Sequence, residues 1–246
     1  MRLLLARVSG LAVALSCATA SNAGMLHVAP TTLDLVAPEA AATLNLRNDD
    51  AQRSINVQIR VFRWTQRNGA DRLEPTSDVV ASPPAQTLMP KADYVVRVVR
   101  VAKQPIAGEE SYRVVVDELP DPARRKAGVV NFVLRYSLPV FFRSPDAGQP
   151  QISWAVQRDG DKVRVTASNS GQQRLKVADL ELIDGANRSV RLSAGLVGYV
   201  LGNAAVQWSF PAKGMNLSLS GQRFVTLSAQ SDGGPIHAMA AVQAGR

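Results

Sequence analysis

Two histidines, one cysteine and a scatter of paired acids are what this sequence offers for side-chain chemistry. Three such residues cannot assemble a zinc cage of Cys and His. His27 and His237 stand far apart with no G-x-S-x-G in the chain, so a Ser-His-Asp triad has no local support, and both read as surface histidines. Neither G-x-G-x-x-G nor G-x-x-x-x-G-K-[ST] occurs. Glu109-Glu110 and Asp117-Glu118 could supply the two carboxylates of a glycosidase, but adjacent acids near turns read more simply as solvated. Trp64, Trp154 and Trp208 could stack on a sugar, and an adhesive or sugar-binding role would need them exposed; the plainer place for a sandwich Trp is the core. Arg124-Arg125-Lys126 reads as a solvated basic loop. This inventory points away from an enzyme, a metal, a cofactor or a small-molecule substrate, and toward binding.

The elements that must carry such binding start after an export signal. Arg2 and Arg7 precede a short apolar stretch from Val8 to Cys17, too short to span a bilayer. Ala18-Thr19-Ala20 and Ser21-Asn22-Ala23 are both acceptable cleavage sites, so residues 1–23 read as a signal peptide cut near Ala20 or, preferably, Ala23. Cys17 behind Ala14-Leu15-Ser16 makes a poor lipoprotein site. The whole chain of 246 residues carries +8; without the two signal arginines it has 26 Lys+Arg against 20 Asp+Glu, hence +6, and no cysteine. Its fold must therefore hold without disulfides. Export to the periplasm makes nucleic acid an improbable partner and an exported protein a better one.

Val occurs 30 times, which leans the chain toward strands. The segment SINVQIRVFRW (54–64) alternates with period two, and Asn68-Gly69 follows as a tight turn. YVVRVVRV (94–101) and YRVVV (112–116) are further strands. Ser144-Pro145-Asp146-Ala147-Gly148-Gln149-Pro150 reads as a linker. Beyond it, strands at 152–157, 162–168, 177–183 and 222–229 are punctuated by Asp159-Gly160 and Asp184-Gly185, and His237 falls in a Gly-rich tail. The expectation is an all-β chain of two immunoglobulin-like β-sandwich domains, at 24–145 and 146–246, joined by a short linker.

The longest apolar run is 129–142. In VVNFVLRYSL (129–138), Val130, Phe132, Leu134, Tyr136 and Leu138 share one face, and Pro139 would end the run. A central strand is one reading. The other is an edge strand whose apolar row is offered to a partner.

The chain resembles the periplasmic chaperones of the chaperone–usher pathway. The likeness is carried by Val28-Ala29-Pro30-Thr31-Thr32-Leu33-Asp34-Leu35, by Arg60-Val61-Phe62-Arg63-Trp64 with Pro83-Pro84, and by PKADYVVRV from Pro90. YRVVVDELP (112–120), Leu138-Pro139-Val140-Phe141-Phe142-Arg143, and Gly198-Tyr199-Val200-Leu201 with Trp208 complete it, the last being similar to the archaic branch. The resemblance implies a carrier of pilus subunits (pilins) that delivers them to an outer-membrane usher by donor-strand complementation. Val130, Phe132, Leu134, Tyr136 and Leu138 would then be the subunit-binding row, and the same row could let free copies self-associate. Better-known members anchor the subunit's terminal carboxylate with an Arg on the first strand and a Lys on the long strand. Here Thr32 and Pro139 stand at those positions, so Arg97 and Arg100 are the expected substitutes.

Overall fold

The computed structural model describes residues 25–120, 132–213, 215 and 217–243. The signal segment 1–23, Val130 and the Arg124-Arg125-Lys126 run lie outside the described residues. Every regular element described is a strand.

The first ten strands are β1 (Leu26–Ala29), β2 (Leu33–Val36), β3 (Ala41–Asn48), β4 (Ile55–Arg67), β5 (Ala70–Pro75), β6 (Val79–Ser82), β7 (Ala85–Leu88), β8 (Asp93–Arg100), β9 (Glu109–Glu118) and β10 (Arg135–Arg143). They form a four-stranded sheet, β1-β3-β8-β6, and a six-stranded sheet, β2-β10-β9-β4-β5 with β7 beside β4. Alternation decides what each strand buries. Leu44 and Leu46 of β3, Val96 and Val98 of β8, and Ile55, Val57 and Ile59 of β4 turn into one core between the two sheets. The Asn68-Gly69 turn predicted from sequence joins β4 to β5, with φ of 54° and 76°. Two positive φ values make this a turn whose twist suits a hairpin, which is why Asn and Gly occupy it.

The remaining strands are β11 (Ile152–Asp159), β12 (Lys162–Asn169), β13 (Leu175–Ile183), β14 (Ser189–Arg191), β15 (Leu196–Val200), β16 (Ala204–Pro211), β17 (Phe224–Ser231) and β18 (Gly234–Gln243). They pair in the order β14-β13-β17-β18-β11-β12-β16, with β15 on β13, around a second core that includes Val156, Val165, Leu180, Leu182 and Leu227. The fold is thus two immunoglobulin-like β-sandwiches. His237 sits in β18 opposite Ser228, not in a loose tail. The glycines around it form the β17–β18 turn, and the small residues of GPIHAMAAVQ weaken the period-two signal that would have marked a strand.

Two long strands serve both the first core and the junction between the sandwiches, because they bury opposite faces along their length. In β4, Ile55, Val57 and Ile59 face the first core, whereas Trp64 and Gln66 are buried on the other side of the sheet. In β10, Leu138, Val140 and Phe142 face the first core, while Phe141 joins Trp64, Tyr199 and Leu201 in a cluster between the sandwiches. Polar contacts reinforce that junction. Gln66 Nε2 donates to Tyr199 O at 2.7 Å and its Oε1 accepts from Leu201 N at 2.9 Å. The guanidinium of Arg174 reaches Glu109 at 2.5 Å and Asp34 at 2.6 Å. The tip of the β4–β5 hairpin also touches β16, where Gln207 N donates to Gly69 O at 2.9 Å.

Candidate functional site

The long apolar run becomes β10, and its pairing is unequal along its length. On one side β10 runs antiparallel to β9 from Arg135↔Asp117 to Arg143↔Glu109. On the other side β2 pairs only with Val140, Phe141, Phe142 and Arg143, in parallel. Among the described residues, 135–139 therefore have an open ladder on one side. A strand edge of this kind exposes backbone donors and acceptors to any extended partner.

Regular pairing starts at Arg135, later than the run read from sequence. The reason lies in β9, which ends at Glu118 and is followed by Leu119-Pro120. Its last contacts are Glu118 N to Leu134 O at 2.9 Å and Leu134 N to Glu118 Oε2 at 3.2 Å. Proline cannot extend the ladder. Pro139, expected to end the strand, lies inside it. It occupies the last edge position before β2 joins, where the missing N–H costs least.

The apolar row is graded. Phe132 is 88% exposed. Leu134 and Tyr136 are partly buried against the first core, and the Tyr136 hydroxyl donates to Leu26 O at 2.5 Å. Leu138 is 6% exposed and belongs to that core. Thr32 immediately precedes Leu33, the partner of Val140, so Thr32 and Pro139 stand at the junction between the free and the occupied edge.

The two arginines selected from sequence both lie on β8, in the four-stranded sheet. Arg97 is exposed between Thr43 and Ser82. Arg100 is engaged: it holds both carboxylate oxygens of Glu110 at 2.8 Å and donates to the carbonyls of Ala102 and Gln104. Burial pushes the Glu110 carboxyl up, but Arg100, the hydrogen bond donated by the Tyr112 hydroxyl and the charge of Arg63 together hold it below the ordinary range, while burial pushes that hydroxyl up to about 12. The remaining acids of interest are also paired. Asp117 accepts from Arg60 and Arg135, and Glu109 from Arg174. Trp64 is 2% exposed and Trp208 packs against Trp154 at 6.5 Å between ring centroids, so neither is the open stacking platform an adhesive reading requires.

Sequence reasoning missed Arg113. It lies on β9 opposite Pro139, on the face away from the first core. Its guanidinium stacks 3.7 Å from the Trp64 ring and 5.9 Å from that of Tyr199. The alternation of SYRVVVDE could have placed it on the outer face, but nothing local signals that a second domain covers that face.

The two-sandwich fold agrees with the comparisons. Residues 25–148 match the family described as pili and flagellar-assembly chaperone, PapD N-terminal domain. The chain belongs to this family of pilus-assembly chaperones. No curated protein sequence matches the chain significantly. Among solved structures, it is similar to a chain of the CsuC–CsuE chaperone–tip adhesion subunit pre-assembly complex from the archaic chaperone–usher Csu pili of Acinetobacter baumannii. The identity is 22%, with 90% of this chain and 99% of that one covered and a TM-score of 0.65. A chain of the Salmonella enterica SafA pilin–SafB chaperone complex is 18% identical, with 89% and 98% covered and a TM-score of 0.58. The E. coli chaperone DraB is 19% identical, with 89% and 96% covered and a TM-score of 0.57.

Proposed function

We propose that this protein is a non-catalytic periplasmic carrier of pilus subunits, of the archaic type. It is exported by a signal peptide at 1–23, captures subunits with its first domain (24–145), and delivers them to an outer-membrane usher. The second domain (146–246) braces the first. No cofactor takes part. The observation that carries this reading is the open ladder at 135–139, which continues an apolar row still exposed at Phe132. A subunit lacking one strand would pair with that ladder and receive Val130, Phe132, Leu134, Tyr136 and Leu138 as the missing row. Leu138 already packs in the chaperone's own core, so the upstream residues do most of the lending. Full burial of Phe132 alone contributes about 1.5–3 kcal/mol.

The test is co-purification of pilus subunits with Phe132→Glu. A charge placed in an apolar groove is costly, so capture should be lost. The melting temperature should hold, because Phe132 touches little in the free protein. Undiminished capture would refute the donor role.

A further inference from the structure

β16 differs from the other strands that end a sheet. β1, β2 and β6 have four residues each and β14 has three. β5 carries Asp71, Arg72 and Glu74 and ends at Pro75. Short length, charge and proline keep the rims of natural sheets from pairing with other chains. β16 has eight residues, AAVQWSFP, and no charged side chain. It pairs with β12 along its whole length and ends the sheet of the second sandwich. By itself such a rim is a template for edge-to-edge association.

Register shows which backbone groups of β16 address the rim. Gln207 N donates to Gly69 O, away from β12. In an antiparallel ladder alternate residues turn their N–H and C=O to the same side, so Ala205, Ser209 and Pro211 address the rim with Gln207. Ala212 N belongs to the other set and donates to Asp161 O at 2.7 Å. Pro211 brings no N–H to the rim. The tip of the β4–β5 hairpin lies against its middle: Gly69 bridges Val206 in parallel and accepts from Gln207 N at 2.9 Å. Behind the tip, Gln66 binds Tyr199 O and Leu201 N, which fixes the hairpin to the second sandwich at another point. An extended guest on β16 has to displace Gly69. Glycine suits that place, since its φ is 76° and a Cβ there would stand 3.2 Å from Gln207 Cβ. A side chain would lift the tip off the rim.

We infer that the β4–β5 tip guards the edge of the second sandwich, and that without it β16 pairs antiparallel with β16 of a second copy of this chain. Two copies of an uncharged strand meet without like-charge repulsion, and the outward side chains of Ala205, Gln207 and Ser209 are neutral. A two-fold pairing of one rim with itself closes with two copies. The guarding role is independent of the donor edge at 135–139, and it keeps a chain that receives extended strands from offering them a second rim.

The experiment uses the full chain, and every variant carries Phe132→Glu, which removes the exposed apolar row as another route to self-association. In sedimentation velocity over a dilution series this background should stay monomeric. Adding Gly69→Val puts a β-branched residue at positive φ and should shift the boundary to dimer as concentration rises. Amide exchange in 204–211 should slow as that dimer forms. Adding Ser209→Lys to Gly69→Val should return the boundary to monomer, because a lysine blunts the rim, without recovering the melting temperature that Gly69→Val loses. That suppression separates an exposed edge from a merely weakened fold. A Gly69→Val protein that is monomeric at every concentration, a dimer that survives Ser209→Lys, protection outside 204–211 alone, or a background that already dimerises through 204–211 would overturn the inference. Should Gly69→Val fail to fold, Gly69→Ala, which makes the same Cβ contact, takes its place and the same outcomes decide.

Discussion

Removing Arg174 should weaken the join between the sandwiches, and more so at neutral than at acid pH. The Arg174 side chain is 12% exposed and that of Glu109 is 1% exposed, with 2.5 Å between them. Arg174 N also donates to Glu109 Oε1 at 3.1 Å, and the guanidinium lies 3.5 Å from the Phe141 ring centroid. Breaking a buried pair by removing one partner costs about 3–5 kcal/mol, because the other charge is left uncompensated. The half-exposed Asp34 adds less than about 1 kcal/mol. For a chain of this length the loss corresponds to a fall of roughly 10 °C in melting temperature.

The pH sign follows from Glu109. Burial pushes its carboxyl above the ordinary range, although Arg174 pulls it back. Between the ordinary and the raised value the folded protein holds more protons than the unfolded one, so stability falls as pH rises through that window. Without Arg174 the value rises further and the window widens upward. Calorimetry of Arg174→Ala should therefore show a larger deficit at about pH 7 than at about pH 4.5, and adding Glu109→Gln should recover part of the neutral-pH loss. A deficit below about 1 kcal/mol, or one equal at both pH values, would refute this reasoning.

Two further substitutions probe the elements that hold the donor strand. Tyr136→Phe removes the hydrogen bond to Leu26 O but keeps the ring, so it should cost about 1 kcal/mol in denaturant melts and leave subunit capture intact; an unchanged midpoint would contradict the assigned bond. Gly69→Ala forces a side chain into a left-handed position and places Cβ 3.2 Å from Gln207 Cβ, so it should destabilise by about 1–2 kcal/mol; a neutral or stabilising effect would show that the hairpin tip is free of β16.

The strand pattern was legible wherever one face is buried and the other wet. Residues 54–64 show it, as do the Asn68-Gly69 turn and the alternation of 94–101. Legibility failed where a strand changes allegiance. Trp64 read as core, but its core is the junction between sandwiches, and the outward switch along β4 breaks no local rule. Pro139 read as a stop because proline ends central strands; its edge position became visible only once β2 was placed. Arg100 and Arg113 look alike in sequence, each an arginine in a valine-rich strand. What separates them is a carboxylate beside one and two aromatic rings beside the other, all brought there by tertiary pairing.

The central claim is that residues 132–139 form the surface on which a subunit strand is received. Amide hydrogen exchange of the free protein and of its complex with a pilus subunit tests it directly. Protection should rise in 132–139 on binding and stay unchanged at β6, an end strand of the four-stranded sheet. Protection confined to β6, or to the second domain, with 132–139 exchanging as fast as in the free protein, would contradict it.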